Sequence, residues 1–151
     1  FGRPSVPNFT PADQPFVIGK AITMNEGCDV TIVATGHLVW PALQAAQILS
    51  QKGVSAEVID IHTIKPLDEE AILSSANKTR VVVTAEEHSC NGGLGDAVCQ
   101  LLGRKLPTPV EMVAVNDKFG ESGTSMQLMN EYHLNADAIV ESSLKAIARK
   151  N

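Results

Sequence analysis

Four runs of β-branched and apolar residues punctuate this chain: DVTIVATG (29–36), VSAEVIDIH (54–62), RVVVTAE (80–86) and PVEMVAV (109–115). They are nearly continuously apolar, the pattern of strands covered on both faces, where strict alternation would mark a sheet with one wet side. Between the runs the period changes. From Trp40 to Gln51, Val39, Leu43, Ala46 and Leu49 form a helical stripe, with Pro41 tolerable in a first turn and Gly53 a natural stop. IKPLDEEAIL opens a second helix in which Asp68 caps and Glu69 and Glu70 favour the positive end of the dipole. GGLGDAVCQLLG (92–103) gives a third, with Leu94, Val98 and Leu101 on one face and Gly103 as its end. Two more helices, about 125–134 and 136–149, close the chain, the latter capped by Asn135.

Strands separated by helices of this length imply parallel βαβ units. KAITM (20–24) is an additional short strand, joined to the next by a turn around Asn25–Gly27 and no helix, so it is expected to be antiparallel. The expected fold is an α/β three-layer α/β/α sandwich with a mostly parallel sheet of about five strands. Residues 1–15 hold Pro4, Pro7, Pro11 and Pro15 and read as a stiff inter-domain linker remnant, with the domain proper over 16–151. The start FGRPSVPNF, without Met, is expected to begin inside a longer polypeptide.

At 151 residues with 44% hydrophobic side chains, the chain is long enough for one well-buried core. A formal net charge of −5 and scattered basic residues argue against a nucleic-acid surface. There is no apolar run near membrane-spanning length. The three cysteines, Cys28, Cys90 and Cys99, lack CxxC spacing and fit a reducing, cytoplasmic setting better than a disulfide framework.

The stretch TAEEHSCNGGLG (84–95) places three ionisable side chains where open α/β sheets present ligand-binding groups. A carboxylate beside His88 would suit acid–base chemistry. Yet neighbours on a strand point to opposite sides, so Glu86, Glu87 and His88 cannot all line one pocket without a sharp turn. A polar cap, facing solvent or a neighbouring chain, is the simpler account. GxxxxGK[ST] is absent, and the GLG of 93–95 is followed by Val98 where a dinucleotide fingerprint needs Gly. His88, Cys90 and Cys99 do not have zinc spacing. His37, His62 and His88 each follow a strand, which suggests a rim on the carboxyl edge of the sheet, serving as a ligand cleft or a subunit contact. His133 is read as surface. Arg3, held between glycine and proline, has a planar fork suited to phosphate or carboxylate.

RPSVP, DVTIVATG, VIDIHTIKPLDEEAIL, VVVTAEEHSCNGGLGDAV and DKFGESGT, in that order, resemble the C-terminal domain of transketolase over nearly the whole chain, and most closely that of the split, short-subunit type. The C-terminal domains of 1-deoxyxylulose-5-phosphate synthase and of pyruvate dehydrogenase-like beta chains resemble it more loosely. The resemblance implies an enzyme that moves a two-carbon ketol unit between sugar phosphates with thiamine diphosphate and Mg2+, working as a homodimer. Cofactor and metal would be held by the N-terminal and middle domains or their subunit, and no GDG metal motif occurs here. The resemblance assigns no catalytic residue to this chain, which alone is expected to be inactive. It assigns a substrate-phosphate contact to Arg3 and leaves His37, His62, Glu86 and His88 as a sheet-edge or interface rim. A small-effector or partner-binding module at that rim is the alternative from a different class.

Overall fold

The computed structural model describes residues 7–10 and 12–150. Its elements run β1 (Ile22–Asn25), β2 (Val30–Ala34), a 3-10 turn (Gly36–Leu38), α1 (Val39–Gln51), β3 (Ala56–Asp60), α2 (Glu69–Thr79), β4 (Val82–Ser89), α3 (Leu94–Lys105), β5 (Val110–Val115), α4 (Ser125–Glu131) and α5 (Ala136–Ala148). The strands form one sheet in the order β1-β3-β2-β4-β5. β1 pairs antiparallel with β3, and the other pairings are parallel. The expected mixed sheet is therefore the observed one.

Two apolar layers sandwich it. On one face Ile32, Ala34, Val58, Val83 and Val113 pack with Ala42, Ala45 and Leu49 of α1 and Ile139 of α5. On the other, Val33, Ile59 and Val82 pack with Ile72 of α2 and Val98, Leu101 and Leu102 of α3. Successive strand residues thus feed opposite cores, which is why the runs read as nearly continuous apolar sequence. The helix starts are built as their capping residues foretold. Asp68 accepts from Ala71 N–H at 3.2 Å and Asn135 from Ala138 N–H at 3.0 Å.

Gly103 does not end α3. The helix continues to Lys105 and Leu106 N–H bonds to Leu102 O at 2.9 Å, because Leu101 and Leu102 are buried and hold this last turn on the sheet. β4 also runs three residues past Glu86, with a register irregularity between Ala85 and Ser89. The upstream segment is fastened to the β3–α2 connection by Gly19 N–H donating to Thr63 Oγ1 at 2.9 Å and Ala21 N–H to Asp68 Oδ2 at 2.9 Å.

Candidate functional site

The sheet order places the ends of β3, β2 and β4 side by side, so His62, His37 and the Glu86–His88 stretch follow three neighbouring strands at the carboxyl edge. Their side chains do different things. Glu86 turns inward, 1% exposed, and accepts from the N–H groups of Leu94 and Gly95 at 2.8 Å each. Helix α3 begins after Gly93, which has no capping side chain of its own, so the Glu86 carboxylate supplies both the acceptors and the negative charge its N-terminus needs. Gly93 is required for space: a Cβ there would stand 2.1 Å from Glu86 Oε2. Glu86 is thus a buried helix cap and does not stand on the rim.

Glu87 turns the other way and meets His37, whose Nδ1 pairs with Glu87 Oε2. These two belong to the ends of β4 and β2, and they are the one carboxylate–imidazole pair that the structure assembles from the expected rim. His62 is engaged separately. Its Nε2 bonds Val17 O at 3.1 Å, Phe16 packs on its ring with centroids 4.4 Å apart, and its Nδ1 is buried without a partner among the described residues. Asp60, just before it, has its carboxyl pushed above the usual range by burial, with His62 pulling the other way. His88 is exposed, and its Nδ1 pairs with Ser89 O at 3.2 Å. The histidines therefore share an edge and do not converge on one point. His133 lies past α4 on the surface, in a left-handed conformation with φ of 54°.

Arg3 lies outside the described residues. The described chain starts at Pro7, which lines a groove of about 420 Å³ together with His37, Trp40, Gln44, Met126 and Asn130. Phe9 stacks on Trp40 there, centroids 6.0 Å apart. Sequence reasoning missed this groove, because its walls come from the start of α1 and from α4, elements far apart in the chain. Among the described residues, no group of three or more His, Cys, Asp or Glu side chains is placed to hold a metal ion. Cys99 is a partly buried thiol, pushed up by burial and then by Asp96, as a small apolar filler would be.

Comparison with known proteins decides what this architecture is. Residues 19–139 match the family model "Transketolase, C-terminal domain". The chain belongs to the transketolase C-terminal domain family. A relative of this transketolase domain, the 6-deoxy-6-sulfo-D-fructose transketolase subunit SqwH of Clostridium sp. (strain MSTE9), is 47% identical over 99% of this chain and 46% of its own length. The 1-deoxy-D-xylulose-5-phosphate synthase of Halothermothrix orenii is 39% identical over 86% of this chain and 21% of its own length. Among solved structures, a split-gene transketolase described as an inactive beta4 tetramer superposes with a TM-score of 0.93. It is 44% identical and covers 97% of this chain and 48% of that one. The chain thus spans about half the length of these transketolase subunits, and a smaller part of the synthase.

Proposed function

We propose that this chain is the C-terminal support domain of a split-type transketolase subunit, in a cytoplasmic enzyme that transfers a two-carbon ketol unit between sugar phosphates. The single observation that carries the reading is the superposition on a split-gene transketolase chain over 97% of this sequence at 44% identity. The local chemistry agrees with a supporting role. The most site-like carboxylate, Glu86, is committed to the start of α3, and Glu87 is committed to His37. No step of the reaction is assigned to the described residues, among which no group of three or more His, Cys, Asp or Glu side chains is placed to hold a metal ion. The cofactor, on this reading, is held by the N-terminal and middle domains, and residues 1–15 are the connector to them.

Arg3 is the residue of this chain that we assign to substrate. Its guanidinium would take the terminal anion of the sugar, a phosphate or, as the name of the SqwH relative suggests, a sulfonate. In the complete enzyme, Arg3→Ala is expected to raise KM for the anionic ketose about 10- to 100-fold while kcat changes less, the loss of one charge-assisted contact. An unchanged KM removes the role from Arg3. The chain by itself is expected to transfer nothing; turnover of a ketose phosphate by the purified chain, unaided, overturns the support reading.

The 39% identity to a deoxyxylulose phosphate synthase favours one second reading, the C-terminal domain of that synthase. The two separate on substrates. Condensation of pyruvate with an aldose phosphate by the complete enzyme selects the synthase, and ketol exchange between sugar phosphates selects transketolase.

A further inference from the structure

The two edges of the sheet are finished differently. β1 has four residues and an irregular register between Thr23 and Asn25, the short and bulged form that discourages further pairing. β5 has six residues, VEMVAV, without proline or lysine, in regular register with β4 from Val110 to Val113. Val82 N–H donates to Pro109 O at 3.0 Å, and from there the parallel ladder directs Glu111, Val113 and Val115 at β4. Val110, Met112 and Ala114 consequently turn their N–H and C=O groups away from the sheet. Arg149 Nη1 donates to Val110 O at 3.2 Å, but among the described residues no hydrogen bond reaches the backbone groups of Met112 or Ala114.

Ala114 is 4% exposed and, with Met112, lies in a groove of about 260 Å³ walled by His133 and by Glu141, Ser142 and Lys145 of α5. Buried peptide groups without partners are costly, and an added strand would satisfy them.

We propose that the outer edge of β5 pairs with the same edge of a second copy of this chain, antiparallel about a twofold axis at Met112, joining the two five-stranded sheets into one. Two features select a copy of the chain over another extended segment. The edge is self-complementary: Met112 faces Met112 and Val110 faces Ala114, each pair exchanging both N–H and C=O bonds. The wall is self-complementary as well. A twofold axis that runs β5 antiparallel does the same to α5, so each Glu141 comes opposite Lys145 of the copy. Glu141 has no ion-pair partner among the described residues, and Lys145, already bonded to its own Glu111 at 2.7 Å, keeps further donors.

The test reads mass and amide exchange and needs no catalytic activity, so it stands apart from the functional reading above. Sedimentation equilibrium of the 151-residue chain should give a concentration-dependent dimer, with hydrogen-exchange protection at Met112 and Ala114 rising with concentration. Ala114→Pro removes an outward N–H and leaves the β4 ladder whole, and should yield a monomer. Glu141→Lys, on the exposed face of α5, should keep the circular dichroism of the parent and weaken the dimer roughly tenfold. Three results overturn the proposal. One is a monomer at every concentration. Another is a dimer indifferent to Glu141→Lys whose Met112 and Ala114 amides exchange freely. The third is protection at these amides that appears only when another subunit of the enzyme is added.

Discussion

Glu86 and Gly93 behave as one unit. A buried carboxylate at the end of β4 takes two N–H groups of α3, and the residue between them in space must lack a side chain. Gly93 has an extended backbone, φ −104°, which any residue adopts, so its requirement is room alone. Glu86→Ala leaves the Leu94 and Gly95 N–H groups buried without an acceptor and is expected to cost about 2–4 kcal/mol. Gly93→Ala should cost a similar amount, about 2–4 kcal/mol, by pushing the carboxylate off its partners. Because the three atoms nearest such a Cβ all belong to the carboxylate, the cost of Gly93→Ala should largely vanish in the Glu86→Ala background. A double-mutant cycle by urea denaturation measures it, and additive costs would refute the coupling. The sequence carried half of this. The two-residue period said that Glu86 and Glu87 must part, but did not say that Glu86 would turn inward. The signal that could have said so is the helix start itself, since GGLGDAV opens a helix with no Ser, Thr, Asp or Asn at its cap and must borrow an acceptor.

Among the elements, strands covered on both faces were the most legible, since each is apolar at most of its positions while the connecting helices kept one wet stripe. Helix ends were legible where a side chain caps, at Asp68 and Asn135, and misleading at Gly103, where packing of Leu101 and Leu102 outweighs a poor helix former. The pairing of α5 with β5 was not legible at all. Glu111 on β5 is joined by Lys145 of α5 and by Arg149 just past its end, residues 34 and 38 positions away. Burial pushes the Glu111 carboxyl up, but Lys145 and Arg149 together hold it below its usual range. An acid with a lowered folded pKa contributes stability that is complete above its unfolded value, near 4.5, and is lost as pH falls through the folded one. Glu111→Gln is therefore expected to lower stability by about 1 kcal/mol at pH 7. Parent and variant should approach each other as pH falls below the unfolded value near 4.5, as followed by thermal melts across pH. A gap that persists unchanged into acid would locate the effect in packing and not in charge.

At the scale of the molecule, apolar surface remains uncovered where the chain's own core has no use for it. Phe119 is 98% exposed and Met126 77%, and no helix among the described residues is long and apolar enough to cross a membrane. The exposure of Phe119 is built. Tyr132 Oη accepts from Glu121 N–H at 2.9 Å and donates to Phe119 O at 3.1 Å, so the loop after β5 is pinned by its backbone while the phenyl ring points out. A ring held this way contributes nothing to the stability of the chain, yet covering it in an assembly is worth about 1.5–3 kcal/mol. The chain spans about half of its transketolase relatives, and on the function proposed above the remaining half of such a subunit would be the cover. Phe119→Ser should leave the melting midpoint of the chain within the change produced by about 0.5 kcal/mol. The same substitution should weaken its association with the separately expressed remainder of the subunit roughly tenfold or more, one buried aromatic being worth that much. Tyr132→Phe sharpens the argument, since it deletes both loop contacts and keeps the ring of Phe119. If presentation matters, it too should weaken association, by a smaller factor. If both variants associate as the parent does, with calorimetry as the readout, the exposed ring is not a docking element and the loop is pinned for the sake of the chain alone.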